Sequence, residues 1–275
     1  MKLRCRDHVI ALDRVAIMGV LNVTPDSFSD GGLYFDPDRA VTHGHEMAER
    51  GAAIVDVGGE STRPGAAPVP EDEELHRVLP VIESLAGSGI VVSIDTRKPA
   101  VARRALEAGA AIVNDTQGEE SNREIDGVVS ESGVGVVVMH SRGTPATMSA
   151  LTEYRDVVSE VCSFLEARAR ELEDAGVPQD AIVVDPGIGF AKNPGQSLLL
   201  LKRIDEVVAL GRPVLVGTSR KSFIGKVLGL NEKERLEGTA ATVSWAVSHG
   251  VQLVRVHDVP EMERVVRMTE AIRDA

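Results

Sequence analysis

The sequence has 275 residues, of which 43% are hydrophobic and 26% charged, a balance typical of globular proteins and not of disordered, collagenous or membrane chains. The formal net charge of −12 argues against a general nucleic-acid-binding surface, because the phosphate backbone demands clustered Lys and Arg. Two cysteines, Cys5 and Cys162, lie far apart and outside any CxxC spacing, so neither a disulfide framework nor a structural zinc site is indicated.

Residues 1–14 carry charges throughout and contain no apolar segment of the kind that a signal peptide needs. Apolar runs such as residues 134–139 are far shorter than the roughly 20 residues of a bilayer span. No stretch rich in Pro, Gly or Ser divides the chain. We therefore expect a cytoplasmic protein in which residues 1–275 form a single domain.

In chain order, residues 2–13 are predicted to form a short hairpin, and eight nearly continuous apolar runs follow it. Such runs are typical of parallel strands that are covered on both faces. The predicted strands are residues 15–21, 53–57, 90–94, 111–113, 134–139, 181–184, 213–216 and 252–256.

Helical segments with recognisable end signals separate these strands. Asp36 and Pro37 are predicted to begin the first helix, and Gly51 lies just beyond it. The further helices predicted from such signals are residues 98–108, 194–210 and 260–273.

Eight strands that alternate with helices predict an α/β fold of the (β/α)₈ TIM-barrel type, with the N-terminal hairpin at the barrel bottom. A doubly wound open sheet would show the same alternation. The strand count and the length favour the barrel, and no glycine-rich dinucleotide fingerprint follows the first strand.

Polar side chains cluster where the predicted strands end. In a TIM barrel these ends form the active-site face. They carry, strand by strand, Asn22; Asp56; Asp95; Asn114 and Asp115; His140; Asp185; Ser219 and Lys221; and Arg255 and His257. Each could be a local cap alone, but a structural protein gains little from so many polar groups beside a core.

The residue types suggest what such a site can bind. Asp95, Asn114 and Asp185 supply acceptors and an amide, which suit a flat heterocycle with several N–H donors. Arg255 and His257 are two potentially cationic donors, and with the Asn22 amide they suit a polyphosphate. Residues 219–222 begin a predicted helix whose N-terminus favours an anion.

These residues lie in motifs that closely resemble those of dihydropteroate synthases. The two longest motifs are MGVLNVTPDSFSD at residues 18–30 and GAAIVDVGGESTRP at residues 51–64. Five shorter matches follow in order at residues 93–96, 113–115, 185–190, 219–223 and 255–258. A lone DxGxG is weak, but the ordered set spans nearly the whole chain and is highly specific.

The resemblance implies a pterin-binding barrel, usually a homodimer and a sulfonamide target, that joins 6-hydroxymethyl-7,8-dihydropterin pyrophosphate to p-aminobenzoate with the help of Mg²⁺. The implied pterin-binding residues are Asp95, Asn114, Asp185 and Lys221. The implied pyrophosphate-binding residues are Asn22, Arg255 and His257, with Asn22 also near the metal.

The resemblance also implies a p-aminobenzoate site and a set of catalytic residues. The implied p-aminobenzoate-binding residues are Phe28, Thr62, Arg63, Pro64, Phe190 and Ser222. The implied catalytic residues are Asp30, Phe28, Asp95 and Lys221. The only partners expected are these small substrates, with neither nucleic acid nor membrane.

Two departures from the family pattern are visible. Thr116 and Gln117 stand where Val-Ser is common, and Ser141 and Arg142 replace a more usual Met-Gln or Met-Arg. We expect neither change to touch a ligand-binding residue, although rim contacts or the sulfonamide response could differ. Three alternatives remain open: a folate–corrinoid methyltransferase-type barrel, a catalytically silent pterin-binding paralogue and a sugar-phosphate barrel enzyme.

Overall fold

The computed structural model describes residues 1–24, 36–63, 65–121 and 123–275. Two short antiparallel strands, β1 (Lys2–Cys5) and β2 (His8–Ala11), precede one sheet of eight parallel strands. The eight are β3 (Ala16–Asn22), β4 (Ile54–Gly58), β5 (Val92–Thr96), β6 (Ile112–Asp115), β7 (Gly135–Met139), β8 (Ile182–Asp185), β9 (Leu215–Val216) and β10 (Leu253–Val256).

The sheet order is β8-β7-β6-β5-β4-β3-β10-β9, and its two outer strands meet. A parallel bridge joins Val184 to Val214, and the Val184 N–H donates to the Pro213 carbonyl at 2.9 Å. The sheet therefore closes into the predicted (β/α)₈ barrel. Every predicted strand is confirmed, with bounds that shift by at most two residues.

Helices cover the outside of the barrel, and none in the described ranges is both long and apolar enough to cross a bilayer. They are α1 (Pro37–Glu49), α2 (Glu71–Gly87), α3 (Pro99–Glu107), α4 (Glu124–Ser132), α5 (Val157–Asp174), α6 (Pro194–Lys202), α7 (Ile204–Val208), α8 (Ser222–Leu228), α9 (Leu236–Ser248) and α10 (Val259–Arg273).

The predicted start of α1 is confirmed, because the Asp36 carboxylate accepts the N–H groups of Asp38 and Arg39 at 3.1 and 3.2 Å. The prediction of one helix over residues 194–210 is wrong, since the helix breaks at Arg203 into α6 and α7. At this break, the Arg203 guanidinium forms ion pairs with both Asp156 and Glu206.

The N-terminal hairpin closes the barrel bottom, as predicted. Leu3 and Cys5 on β1 are fully buried among apolar side chains from the N-terminal halves of the barrel strands. Gly135 begins β7 at this end, and a Cβ there would stand 3.2 Å from the Cβ of Cys5. The hairpin thus packs directly against the strand starts and fills the lower interior.

Alternate residues of each strand point into the barrel or towards the helices. The lower interior is apolar and contains Leu3, Cys5, Met18, Ile54, Ala111, Ile112, Val137, Val183, Leu215 and Leu253. The intervening residues, such as Val55, Val113 and Val254, pack in the larger cluster between sheet and helices. Burial of each such side chain contributes roughly 1.5–3 kcal/mol.

Candidate active site

The polar residues of the site form a layer directly above the apolar interior. They occupy the next inward-pointing position of each strand, two residues closer to the barrel mouth. Asp56, Asn114, Asp185 and Arg255 each follow, by two residues, an apolar residue of the lower interior: Ile54, Ile112, Val183 and Leu253. Strand alternation therefore turns all four into the barrel, where Asp95 joins them opposite Asn114 in the β5–β6 register. We call Asp56, Asp95, Asn114, Asp185 and Arg255 the upper interior layer.

Arg255 lies at the centre of this layer. Its Nε–H donates to Asp56 Oδ2 at 2.6 Å, and its Nη2–H donates to Asp95 Oδ2 at 2.7 Å. Asp56 Oδ2 also accepts the Asn114 amide at 3.1 Å, and Asp56 is fully buried. One carboxylate thus orients both an arginine and an amide, which fixes two candidate ligand-binding groups relative to each other.

Two carboxyls of the layer have raised pKa values. Burial raises the pKa of Asp95 to about 7 although Arg255 opposes the shift. Burial likewise raises the pKa of Asp185 to about 6, against the Gly187 N–H, which donates to its Oδ1 at 2.7 Å. Buried acceptors whose pKa values are raised by desolvation, inside a barrel mouth, are typical of a functional site.

Lys221 approaches the layer from the loop before α8. Its Nζ stands 3.7 Å from the centre of the Phe190 ring, which gives a cation–π contact. Burial and the neighbouring Arg255 lower the pKa of Lys221 to about 8. Gly189 lets the Asp185–Phe190 loop pass this lysine, because a Cβ there would lie 3.4 Å from its Cδ in a backbone with φ of +83°.

His257 lies beside Ser219 at the end of β10. Its Nδ1 is 3.0 Å from Ser219 Oγ, and its backbone N–H donates to the same oxygen at 3.2 Å. Burial, followed by Arg255, lowers the pKa of His257 to about 3. With this lowered pKa, the His257 ring is a neutral hydrogen-bonding group at pH 7.

Neighbouring residues on β6 face opposite sides of the sheet. Asn114 points inward, whereas Asp115 accepts the Gln117 N–H at 3.0 Å and lies 3.8 Å from Arg168 of α5, outside the barrel. Thr116 returns to the site, since its hydroxyl donates to Asp95 Oδ1 at 3.4 Å. The expectation that the Thr116 departure touches no ligand-binding residue is therefore wrong.

The candidate p-aminobenzoate residues that the structure describes lie beyond the ends of β4, β8 and β9. Thr62 is half-buried, while Arg63 is exposed and its Nη2–H donates to Glu232 Oε1 at 2.8 Å. Ser222 is the exposed first residue of α8. Phe28, Asp30 and Pro64 lie outside the described residues.

Asn22 ends β3 at the mouth and is half-buried. Its Oδ1 lies 3.8 Å from the place where a Cβ on Gly58 would stand, so glycine leaves space beside this oxygen. Within the described ranges, no three His, Cys, Asp or Glu residues form a metal cluster. One amide oxygen suits Mg²⁺ that takes its other ligands from substrate phosphates and water, which is a common magnesium arrangement.

Sequence reasoning missed two parts of the site. It placed Asp56 on the active-site face but gave it no role, although the two-residue step from Ile54 puts its side chain inside the barrel beside Arg255. It also missed Lys192, which is 7% exposed and stands beside His140 behind the Asp185–Phe190 loop. A lysine two residues after that motif carries no signal of burial in the sequence.

Comparison with known proteins agrees with this geometry. The family model described as "Pterin binding enzyme" matches residues 18–257. A dihydropteroate synthase of Bacillus subtilis is 44% identical over 261 residues, which cover 94% of this chain and 89% of that protein.

Solved structures of similar proteins carry ligands that bear on the site. Dihydropteroate synthase of Thermus thermophilus in complex with 4-aminobenzoate is 46% identical, with a TM-score of 0.89 and coverage of 99% of this chain and 100% of that one. The same enzyme has been solved with 6HMPPP, at 43% identity, a TM-score of 0.86 and 99% coverage of both chains.

A third structure extends the comparison to inhibitors. The Yersinia pestis enzyme with a sulfonamide drug complex is 39% identical, with a TM-score of 0.94 and full coverage of both chains. Identity well above 30% along nearly the whole chain accompanies a matching fold. The chain belongs to the pterin-binding enzyme family and, within it, to the dihydropteroate synthases, transferases of a pterinylmethyl group.

Proposed function

We propose that this chain condenses 6-hydroxymethyl-7,8-dihydropterin pyrophosphate with p-aminobenzoate to give 7,8-dihydropteroate and pyrophosphate. The observation that carries the proposal is the upper interior layer, in which carboxylates, an amide and an arginine converge above an apolar interior. A flat heterocycle with several N–H donors matches such acceptors, and desolvated hydrogen bonds discriminate strongly against ligands that lack those donors.

The pterin ring is proposed to bind in the upper interior layer. Asp95 and Asp185 accept ring and amino N–H groups, and the Asn114 amide donates and accepts beside them. Lys221 Nζ, held over the Phe190 ring, donates to the carbonyl side of the heterocycle. Burial raises the pKa values of Asp95 and Asp185, and a bound heterocycle whose N–H groups donate to these carboxyls would favour their ionised form.

The pyrophosphate is proposed to bind at Arg255, His257 and Asn22. Arg255 donates its Nε–H to Asp56 and one Nη2–H to Asp95. The other N–H groups of the guanidinium can donate to phosphate oxygens. In the tautomer in which the Ser219 hydroxyl donates to Nδ1 of His257, the ring carries its proton at Nε2, which is then a neutral donor for a phosphate oxygen. Asn22 would hold Mg²⁺ together with the substrate phosphates, and the metal would supply positive charge to the leaving group.

The p-aminobenzoate site is proposed to lie between two mouth loops and the Phe190–Ser222 side of the barrel. Its proposed lining is Phe28, Thr62, Arg63, Pro64, Phe190 and Ser222. The Arg63–Glu232 ion pair supports this location, because it ties the loop after β4 to the segment after α8. The two loops then close over the bound pterin and exclude water.

The proposed reaction is dissociative and SN1-like. The C–O bond to pyrophosphate breaks first, and the electron-rich dihydropterin stabilises the resulting methylene cation. Asp95 and Asp185 stabilise positive charge that spreads into the ring, while Lys221 fixes the ring and Asp30 and Phe28 act from the first loop. The aniline nitrogen is neutral at pH 7, so it attacks the cation without a general base, and the proton lost from nitrogen after the C–N bond forms passes to the released pyrophosphate or to water.

We also propose that residues 1–275 act as one domain in a cytoplasmic homodimer. Helices α6, α8 and α9 contact one another, and they expose large apolar side chains. These are Leu198, Leu199, Val227, Leu228, Leu236 and Trp245. A contiguous apolar face of this kind is typical of an interface, and Leu228→Glu should dissociate the dimer in sedimentation experiments.

The test is pyrophosphate release from the dihydropterin pyrophosphate with Mg²⁺, with and without p-aminobenzoate. Release that requires p-aminobenzoate and yields dihydropteroate supports the synthase. Tight pterin binding by calorimetry without release would favour the silent paralogue. Methyl transfer from a folate to a corrinoid would favour the methyltransferase-type barrel.

A further inference from the structure

We propose that Lys192 is a positioning residue that fixes the Asp185–Phe190 loop against β7, so that one loop presents Asp185 to the pterin and Phe190 to the arylamine. The inference deepens the proposed function and rests on it. The hydrogen bonds of the Lys192 ammonium go to the loop and to His140, and none goes to a side chain of the upper interior layer, so it acts through the loop and not on a substrate.

The Lys192 ammonium is surrounded by loop acceptors. Its Nζ–H groups donate to the carbonyl oxygens of Phe190 at 2.9 Å, Gly187 at 3.0 Å and His140 at 3.3 Å. His140 Nδ1 lies 2.9 Å from the same nitrogen. Two of these carbonyls belong to the loop, while both His140 groups belong to the end of β7, so one side chain joins the two segments.

The loop needs such support because its backbone is unusual. Gly187 has φ of +63°, and a Cβ there would stand 1.9 Å from the His140 carbonyl oxygen. Ala191, the next residue after the loop, has φ of +49°, a left-handed conformation that is strained for a residue with a Cβ. The Tyr154 hydroxyl donates to the Ala191 carbonyl at 3.0 Å and holds that turn from outside.

His140 anchors the lysine. Its ring is fully buried and packs edge-on against Phe164 at 5.0 Å. Burial and the neighbouring Lys192 lower the pKa of His140 to about 4, so the ring is neutral and Nδ1 has a lone pair for the Nζ–H. Its Nε2 lies 3.4 Å from Glu119 Oε1. Glu119 in turn accepts from Arg142 Nε at 3.0 Å.

The charge state of the lysine follows from two opposed effects. Burial lowers the pKa of Lys192 to about 7, while the neighbouring Asp185 favours the cation. The carbonyl oxygens around Nζ also favour the ammonium, which has three donors for them. Loss of these charge-assisted bonds would take the Nζ–H donors from the His140 and Phe190 carbonyls, whereas the Gly187 carbonyl would keep the Phe190 N–H.

The experiment compares Lys192→Met, Lys192→Arg and Arg168→Met with the wild-type protein. Lys192→Met removes the donors and keeps the aliphatic stem, whereas Lys192→Arg restores donors. Arg168 is also buried, pairs with Asp126 outside the barrel and serves as a control for general destabilisation. The readouts are KM for each substrate, kcat, pterin affinity by calorimetry and the midpoint of thermal unfolding.

The expected result is a rise of about tenfold or more in both KM values and in the pterin Kd for Lys192→Met, since one loop serves both substrates. Lys192→Arg should recover at least part of this loss. Arg168→Met should lower the unfolding midpoint and leave both KM values unchanged. Gly187→Ala should reproduce the double KM effect, because its Cβ displaces the loop from β7.

Wild-type KM values in folded Lys192→Met would overturn the inference and leave the proposed function intact. The inference is equally overturned if Arg168→Met changes both KM values as much as Lys192→Met does. Wild-type protein that makes no dihydropteroate would overturn the proposed function, and the inference with it.

Discussion

The lower and upper halves of the barrel interior differ sharply although the same strands build both. Below, Ile54, Ile112 and Leu253 form an apolar interior that the N-terminal hairpin closes. At the next inward-pointing position of their strands, towards the mouth, Asp56 and Arg255 form an ion pair. On each of these strands, the inward-pointing side chain changes from apolar to polar within two residues.

Each barrel strand therefore contributes apolar residues that stabilise the fold near the barrel bottom and polar residues for ligand binding near the mouth. The two roles are not divided between separate segments of the sequence. The lower half is stabilised by apolar burial, which is favourable without partners. The upper half contains buried charges that are tolerated only because each has a partner, and partners can be exchanged for substrate. Variants of the two halves should therefore fail in different ways.

The largest effect is expected for Arg255→Ala. We expect kcat/KM to fall by roughly 10²–10³-fold, as when one charge-directed donor is removed from an active site. Asp56 and Asp95 also lose their buried counter-charge, so the free energy of unfolding should fall by about 3 kcal/mol. Steady-state kinetics and urea unfolding measure both; full activity would show that the upper half is structural.

The second effect belongs to the lower half. Ile112→Ala, two residues below Asn114, should lower the free energy of unfolding by about 2–5 kcal/mol, because it leaves a cavity in a fully buried cluster. Both KM values should stay within about twofold for the folded fraction, which serves as the control. An Ile112→Ala variant that is stable yet unable to bind pterin would erase the distinction between the halves.

The third prediction concerns pH. Since the pKa values of Asp95 and Asp185 are raised to about 7 and about 6, acidification from pH 8 to 5 should protonate both and weaken pterin binding, by up to about tenfold per pH unit. A raised carboxyl pKa stabilises the fold at low pH, and this contribution is lost as pH rises through the folded-state pKa.

Pterin affinity and the stability contribution of these two groups should therefore change in opposite directions with pH. Calorimetry and chemical unfolding across this range test the pair of trends. Asp185→Asn is the matched variant, and it should remove the step in pterin affinity near pH 6. Pterin binding that tightens on acidification would contradict the assignment of ionised carboxylates as acceptors.

The smallest effect is expected at the barrel bottom. Arg4 on β1 donates to Asp180 at 2.6 Å, but this pair lies at the surface. Arg4→Ala should lower the free energy of unfolding by about 0.2–1 kcal/mol and leave kinetics unchanged. A loss of activity in this variant would mean that the hairpin communicates with the upper half.

The sequence was sufficient for the eight strands, the closing hairpin and most of the upper interior layer. Continuous apolar runs identify buried parallel strands, and polar residues at their ends identify the active-site face. Asp95, Asn114 and Asp185 were found in this way, and the structure brings them to one mouth with Lys221 and Arg255.

The rest required three-dimensional contacts. Asn114 and Asp115 look equivalent in sequence, yet strand alternation sends the second to Arg168 outside the barrel. The Thr116 hydroxyl reaches Asp95 only because the chain turns back after β6. Lys192 meets His140 across a separation of 52 positions in the sequence, a pairing that local patterns do not encode.

The central claim is that the upper interior layer is the pterin pocket. Calorimetric titration of a pterin into the wild-type protein, Asp185→Ala, Lys221→Ala and Ile112→Ala tests it most directly. We expect clearly weaker pterin binding in the first two variants and near wild-type affinity in folded Ile112→Ala. Unchanged affinity in both Asp185→Ala and Lys221→Ala would contradict it.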